Sequence, residues 1–486
     1  MSSMDHAYYK QSDTKGAQII KLVPEDRLSN LPIDILHHIL SFLDATDVTR
    51  TSALGKNWRN IWSSVPSLKF DFNVFQVQRP YLQLNYCECL SKFWVFFFWT
   101  FLMREAPQVT ELRILCHYFD VEQFHLLLGL FATQNVKELQ FEARFTVVDY
   151  PFSRALSESL SALRRYYDGS VKIQFSTAFG NLKSLRLVAV YFNDAKITAE
   201  LFTNCGVLEN LSLEYCRMQM LEVLNISASN LKKFTFLNMH RSIFNVHLFH
   251  GRLNMHTPNL ENFYYNGPVL CWEFSNTSSV NHAMIEVSNE TYDVLREPKL
   301  AATISALNCA KALSLPSVVP LYLARFRCGS RCHLPNTRSL RLGMLYTSRC
   351  MEGLINLLRL TPNLKILSME FTLGFEDNWK SRDEDVACLS HHLKEVRITG
   401  SRYPAFQVEL LKFLLQNAKV LENIQIDQEE QELDPKKLYA LRTVNLASKS
   451  VALMITSISA SGKRKCVSFN LGISEESSGP TKLSLV

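Results

Sequence analysis

At 486 residues the chain is long enough for one elongated domain or several compact ones, and its 47% hydrophobic and 20% charged residues exclude wholesale disorder. The formal charge of +6 is spread along the chain, which argues against a nucleic-acid footprint built on clustered Lys and Arg. Twelve cysteines in no even framework indicate a reducing compartment and free thiols.

Residues 1–23 read as a polar leader with no apolar h-region, so an intracellular protein of the cytoplasm and/or nucleus is expected. Residues 24–72 then read as a small helical unit. Leu31, Ile35, Leu36, Ile39, Leu40 and Leu43 recur at three- and four-residue spacing, on one side of a helix. Asn30 is the expected cap, Pro32 suits the first turn, and Asp34 suits the positive end of the helix dipole. A second short helix is expected over Val48–Leu54, capped by Thr46 or Asp47 and ended by Gly55 in a left-handed conformation. A third is expected to carry Trp58 and Trp62 on one face, with a strand-like LKFDF closing the unit. So short a unit buries too little apolar surface alone, which suggests that a partner covers part of it.

The run LPIDILHHILSFLDATDVTRTSALGKNWRNIW resembles an F-box, in its Leu-Pro pair, apolar helix, Asp-Val step and late Trp-Arg. The family's Ser-Lys-Arg-Trp-Arg is here Gly55-Lys56-Asn57-Trp58-Arg59. The resemblance implies docking on a Skp-family adaptor, and through it on a cullin-based ubiquitin ligase. The adaptor-binding positions it carries over are Leu31, Pro32, Ile35, Ile39, Leu40, Leu43 and Trp58. Spacing alone does not divide them between the adaptor and the unit's own core.

Residues 73–360 read as irregular leucine-rich repeats. Phe93–Met103 (FWVFFFWTFLM) is about half the roughly 20 residues a membrane helix needs, and reads as a buried capping helix beneath the first repeat. The motif L-x-x-L-x-L, with conservative replacements, then recurs from Val109, Val136, Leu182, Leu208, Leu221, Leu231, Leu260, Ala310, Thr337, Leu364, Leu393 and Leu421. Its last four intervals are 27, 27, 29 and 28 residues, within the repeat range of about 20–29. Each L-x-L places two side chains on one face of a strand, and neighbouring units must stack to bury them. Asn181, Asn230, Asn259 and Asn363 precede several strands and suit bent turns. Helix-like stretches from Gly353 and from Val408 suit the convex side. Two long gaps interrupt the series: 144–176 reads as a loop insertion or a decayed repeat, and a weak unit is expected around Ile285 and Val287. The residues between the buried leucines spell no readable code.

TPNLKILSMEF, LSHHLKEVRITG and FLLQNAKVLENIQI resemble the FBD module of plant F-box proteins, which places an FBD-like module continuing the solenoid at 361–430 and an extension with a polar tail at 431–486. The chain is thereby identified as similar to the plant-type F-box/FBD/LRR-repeat family. The fold class expected is α/β: a three-helix F-box, then a curved parallel sheet with helices on its convex side.

No catalytic or cofactor motif is present: there is no glycine-rich phosphate loop, GxSxG or HExxH. Cys328, Cys332, His333 and Cys350 make a poor tetrahedral set, so no metal is expected, and the thiols read as buried. His391-His392 reads as a solvated turn and Gly462–Lys465 as a short basic cluster. The expected role is the substrate-recognition subunit of a Skp-cullin-F-box ligase, non-catalytic, with the repeats holding a target protein and no nucleic acid or membrane as partner. The alternative is a non-ligase repeat scaffold or ligand sensor with a degenerate F-box.

Overall fold

The computed structural model describes residues 28–78, 86–104, 109–116, 136–143, 182–188, 202, 206–216, 218, 221–238, 251–268, 271–275, 280–287, 304–325, 333–372, 379–380, 384–400, 404–429, 446–448, 450–458 and 464–472. The expected leader, the insertion over 144–176 and the tail after Ser474 lie outside them.

The chain opens with α1 (Ile33–Ser41) and α2 (Ala45–Arg50), followed by 3-10 turns at Thr51–Ala53, Lys56–Trp58 and Ile61–Ser64. Three expectations change here. Asn30 does not cap α1: a turn closed by Leu31 N–H on the Leu28 carbonyl sets Pro32 at the cap instead. Asp44, not Thr46 or Asp47, caps α2 by accepting the Thr46 N–H at 2.9 Å. Gly55 is extended, with φ 173°, and the Trp-bearing segment is a pair of 3-10 turns rather than a helix. The indole of Trp58 is buried and needs a partner for its N–H, which it finds in Ser29 Oγ at 2.7 Å.

LKFDF does not close a separate unit. It is β1 (Ser67–Asp71), and it pairs in parallel with β2 (Glu111–Cys116) as the first strand of the main sheet. The helical unit and the repeats therefore share one hydrogen-bonded ladder. After α3 (Phe72–Val77), α4 (Tyr86–Leu102) packs Phe93, Phe97 and Phe101 into the core beside Phe70, Phe72 and Phe75. The aromatic run is thus the expected capping helix. Its other face leaves Val95, Trp99, Leu102 and Met103 exposed.

Every L-x-x-L-x-L motif forms a strand. In chain order they are β2, β3 (Glu138–Ala143), β4 (Ser184–Val188), β5 (Asn210–Glu214), β6 (Val223–Ser227), β7 (Lys233–Leu237), β9 (Asn262–Gly267), β12 (Ala312–Leu315), β13 (Ser339–Met344), β14 (Ile366–Phe371), β15 (Glu395–Thr399) and β16 (Asn423–Glu429). The weak unit is β11 (His282–Val287). Among the described residues the main sheet has 15 strands, β1-β2-β3-β4-β5-β7-β9-β11-β12-β13-β14-β15-β16-β17-β18. It is parallel as far as β17 (Ser450–Ile458), and β18 (Arg464–Gly472) returns antiparallel. The buried leucines alternate with exposed positions on each strand, as the motif requires.

The middle of the solenoid departs from the strand–helix expectation. β6, β8 (Arg252–His256) and β10 (Cys271–Ser275) form a second parallel sheet of their own, in the order β10-β8-β6. The motif at Leu221 therefore belongs to the opposite layer, not to the main ladder. Aromatic rings fill the space between the layers: Phe236 and Tyr265 stack at 5.3 Å, and Trp272 of β10 meets Tyr265 edge-on at 4.9 Å. Toward the C-terminus the backing is helical, in α5 (Val318–Arg325), α6 (Ser348–Leu360), α7 (Ala387–His391) and α8 (Pro404–Asn417). Gly353 of α6 lets that helix press on α5, because a Cβ there would lie 1.7 Å from the Pro320 carbonyl oxygen.

Of the expected asparagine turns, that of Asn181 lies outside the described residues, and the other three are present with a different bond. Asn230, Asn259 and Asn363 each donate Nδ2–H to a carbonyl of the preceding repeat (Gly206, Ser229 and Pro335) at 2.7–2.8 Å, and Asn336 does the same to Asn308 at 3.2 Å. The amides thus bridge neighbouring repeats rather than bracing their own bends. Cys89, Cys116, Cys216, Cys350 and Cys388 are buried as expected, and burial pushes the Cys350 thiol to about 11 and that of Cys388 to about 12. Cys466, in contrast, is exposed. Cys328 and Cys332 lie outside the described residues.

Candidate functional site

α1 carries two apolar stripes rather than one. Leu36 and Leu40, four residues apart, turn inward and build a small core with Val48, Trp58 and Val65. Ile35, Ile39 and Phe42 follow one another at four and three residues and turn outward, at 46%, 39% and 73% exposure. Leu28, Ile33, Leu43 and Leu54 are exposed as well. Fully burying one such side chain is worth about 1.5–3 kcal/mol, so this face is a reservoir of binding energy left unused by the fold.

The seven positions expected to meet an adaptor divide accordingly. Pro32, Ile35, Ile39 and Leu43 are exposed, and Leu31 is half-buried against the small core. Leu40 and Trp58, at 2% and 5% exposure, are packed into the small core. Leu28, Ile33, Phe42 and Leu54 extend the exposed apolar face beyond those seven positions. The i, i+4, i+7 spacing of Ile35, Ile39 and Phe42 is the signal that finds most of this face, once the helix is read as having a second stripe beside Leu36 and Leu40.

Several contacts hold this face fixed. His37 Nε2 lies 2.9 Å from Ser64 Oγ, tying α1 to the third 3-10 turn, and burial lowers the imidazole pKa. Trp62 stacks on Trp99 of α4 with ring planes 8° apart. Arg104 donates to the Val65 carbonyl at 2.7 Å, and burial of the guanidinium lowers its pKa to about 10. Gln78 donates to both oxygens of Asp47.

The outward face of the main sheet acquires order from its register. The middle row places Lys69, Arg113, Arg186, Arg341 and Arg397 on one line across the strands. The next row carries Glu142, Glu214, Glu286, Glu370 and Asp427. Between the arginines lie Ser212, Thr235, Tyr264, Met284 and Ser314. Arg186 grips Glu214 through two bonds of 2.7 Å, and Arg341 reaches Glu370 at 2.7 Å. The order among these residues runs across the strands, not along the chain.

A small helical unit with an outward apolar stripe, fused to a leucine-rich parallel ladder, defines an F-box/leucine-rich-repeat architecture. The F-box domain family matches residues 28–70, and the family described as "At1g61320/AtMIF1, LRR domain" matches residues 108–463. The chain belongs to this leucine-rich-repeat family and carries an F-box at its head, and its relatives include plant proteins named for an F-box, an FBD module and leucine-rich repeats. It is 25% identical to the putative F-box/FBD/LRR-repeat protein At3g49030 of Arabidopsis thaliana, over 92% of this chain and 99% of the relative. It is 24% identical to F-box/FBD/LRR-repeat protein At3g26920 of the same plant, over 82% of this chain and 88% of that one. The FBD-associated F-box protein At3g52670 is 28% identical over 38% of this chain and 43% of its own length. Among the described residues no helix is long and apolar enough to cross a membrane.

Proposed function

We propose that this protein is a substrate-recognition subunit of a Skp-cullin-F-box ubiquitin ligase. F-box/leucine-rich-repeat proteins are generally non-catalytic adaptors, and F-box domains generally bind Skp-family proteins. The observation that carries the reading here is the second apolar stripe of α1, Ile35, Ile39 and Phe42, held outward on a unit that already has its own core. An adaptor covering that stripe recovers burial energy that folding leaves unspent. The repeats hold a target protein, so that ubiquitin transfer by other subunits becomes effectively intramolecular.

The test is capture of a purified Skp-family adaptor by the full chain and by Ile35→Asp/Ile39→Asp. Wild type is expected to retain the adaptor, and the variant to lose it with an unchanged melting temperature. Capture that survives in the folded variant, or is absent from wild type, overturns the ligase reading and leaves a repeat scaffold with a degenerate F-box.

A further inference from the structure

The edge of the main sheet at which the strands begin carries one residue per repeat at the second place of the L-x-x-L-x-L motif. From β12 onward these residues are Lys311, Arg338, Lys365 and Lys394, all exposed. They sit on adjacent repeats, since each donates its backbone N–H to the carbonyl of the one before: Arg338 to Lys311, Lys365 to Arg338, and Lys394 to Lys365, at 2.8–2.9 Å. Strand spacing of about 4.8 Å makes this a cationic ladder roughly 14 Å long. Glu422 ends it by pairing with Lys394 at 2.7 Å. Earlier in the same row the signs alternate, with Lys183 and Lys232 both on Glu209.

A groove lies along the ladder. Lys311, Arg338, Lys365 and His392 line it together with Asn336 and Asn363, and among the described residues no carboxylate does. The neighbouring cleft, which shares Lys311, contains Glu261. The asparagine Nδ2 groups are already committed to the repeat backbone. His392 Nδ1 is sheltered from solvent and lacks a hydrogen-bond partner among the described residues. Like charges on adjacent strands repel one another, a liability that a bound anion relieves.

We propose that this groove seats an acidic segment of a partner protein, with carboxylates set against Lys311, Arg338 and Lys365. The inference rests on the reading of the repeats as the target-holding part and gives that target a chemistry. A peptide fits better than a nucleic-acid strand. Single-stranded nucleic acids use aromatic side chains as stacking platforms, whereas no Phe, Tyr or Trp is among the described residues that line this groove.

The test is fluorescence anisotropy of the full chain with a labelled Glu-Ser repeat peptide, a Gln-Ser peptide of equal length and a single-stranded oligonucleotide. The Glu-Ser peptide is expected to bind, to weaken steeply with salt, and to lose roughly tenfold or more in affinity in Arg338→Glu/Lys365→Glu. The charge-matched control Lys137→Glu/Lys183→Glu, on the same edge among the first repeats, is expected to bind as wild type does. Equal losses in both variants, no preference over Gln-Ser, or tighter binding of the oligonucleotide through the same residues overturns the proposal. Adaptor capture on the same preparations separates the two readings. Its loss with peptide binding intact strikes the ligase role alone, and the reverse strikes the acidic-segment assignment alone.

Discussion

Asp44 Oδ2 accepts the backbone N–H of Asp71 at 2.8 Å while Asp44 Oδ1 caps α2, so one buried carboxylate joins the F-box to the first strand of the repeats. Burial is the largest influence on Asp44 and raises its pKa, against the bonds from Thr46 and Asp71. A raised carboxyl pKa means that the contribution of Asp44 is fully present below its unfolded pKa and is lost as pH rises through the folded value. Asp44→Asn can keep one acceptor bond but not both, at a cost of about 1–2 kcal/mol. The melting-temperature gap between wild type and variant is therefore expected to be widest in acid and to narrow toward neutral pH. A gap that widens as pH rises would contradict the assignment.

Leu40 and Ile39 are neighbours in sequence with opposite roles. Leu40→Ala removes a side chain from the small core and is expected to cost about 2–5 kcal/mol, seen as early unfolding of the F-box by hydrogen exchange. Ile39→Ala is expected to change stability by no more than about 0.5 kcal/mol while weakening adaptor capture.

The two arginine–glutamate pairs on the sheet face are expected to differ. Glu214 is buried, so Arg186→Met leaves its carboxylate short of partners and costs about 1–3 kcal/mol. Arg341 and Glu370 are both largely exposed, and Arg341→Met is expected to cost at most about 1 kcal/mol. Burial pushes the Glu214 pKa up, but the bonds from Arg186 and Ser212 outweigh it and hold it below the ordinary value. That contribution is present above the unfolded carboxylate pKa and is lost as pH falls through the folded one. Arg186→Met should flatten this part of the acid profile in a pH series of thermal melts.

Gly353→Ala tests the helix contact behind the C-terminal repeats. The added methyl meets backbone of α5 rather than a flexible side chain, so α5 and α6 must separate. The expected cost is about 1–3 kcal/mol or more, with lost exchange protection in α5 and none in α1.

Most of the ladder was legible because its signal is local. Leu340 and Leu342, or Val396 and Ile398, announce a strand whose inner face is apolar, whatever surrounds it. Three things were not local. The motif from Leu221 has the same spelling as the others, and only its pairing with β8, whose other neighbour β10 sets Trp272 against Tyr265 of β9, puts β6 in the second layer. The roles of Leu40 and Trp58 depend on Val48 and Val65, which the fold brings beneath α1. The stripes of Arg186, Arg341 and Arg397 exist only once the strands are set in register.

The sharing of β1 between the F-box and the sheet has a geometric result. Because β1 pairs directly with β2, a position on any strand lies a set number of strands from the exposed stripe of α1, in steps of about 4.8 Å per strand. The ladder from Lys311 to Lys394 lies well down that series, eight and more strands from β1. The solenoid is therefore a ruler: under the proposed function, the rung on which a target sits would set how far that target lies from the adaptor face.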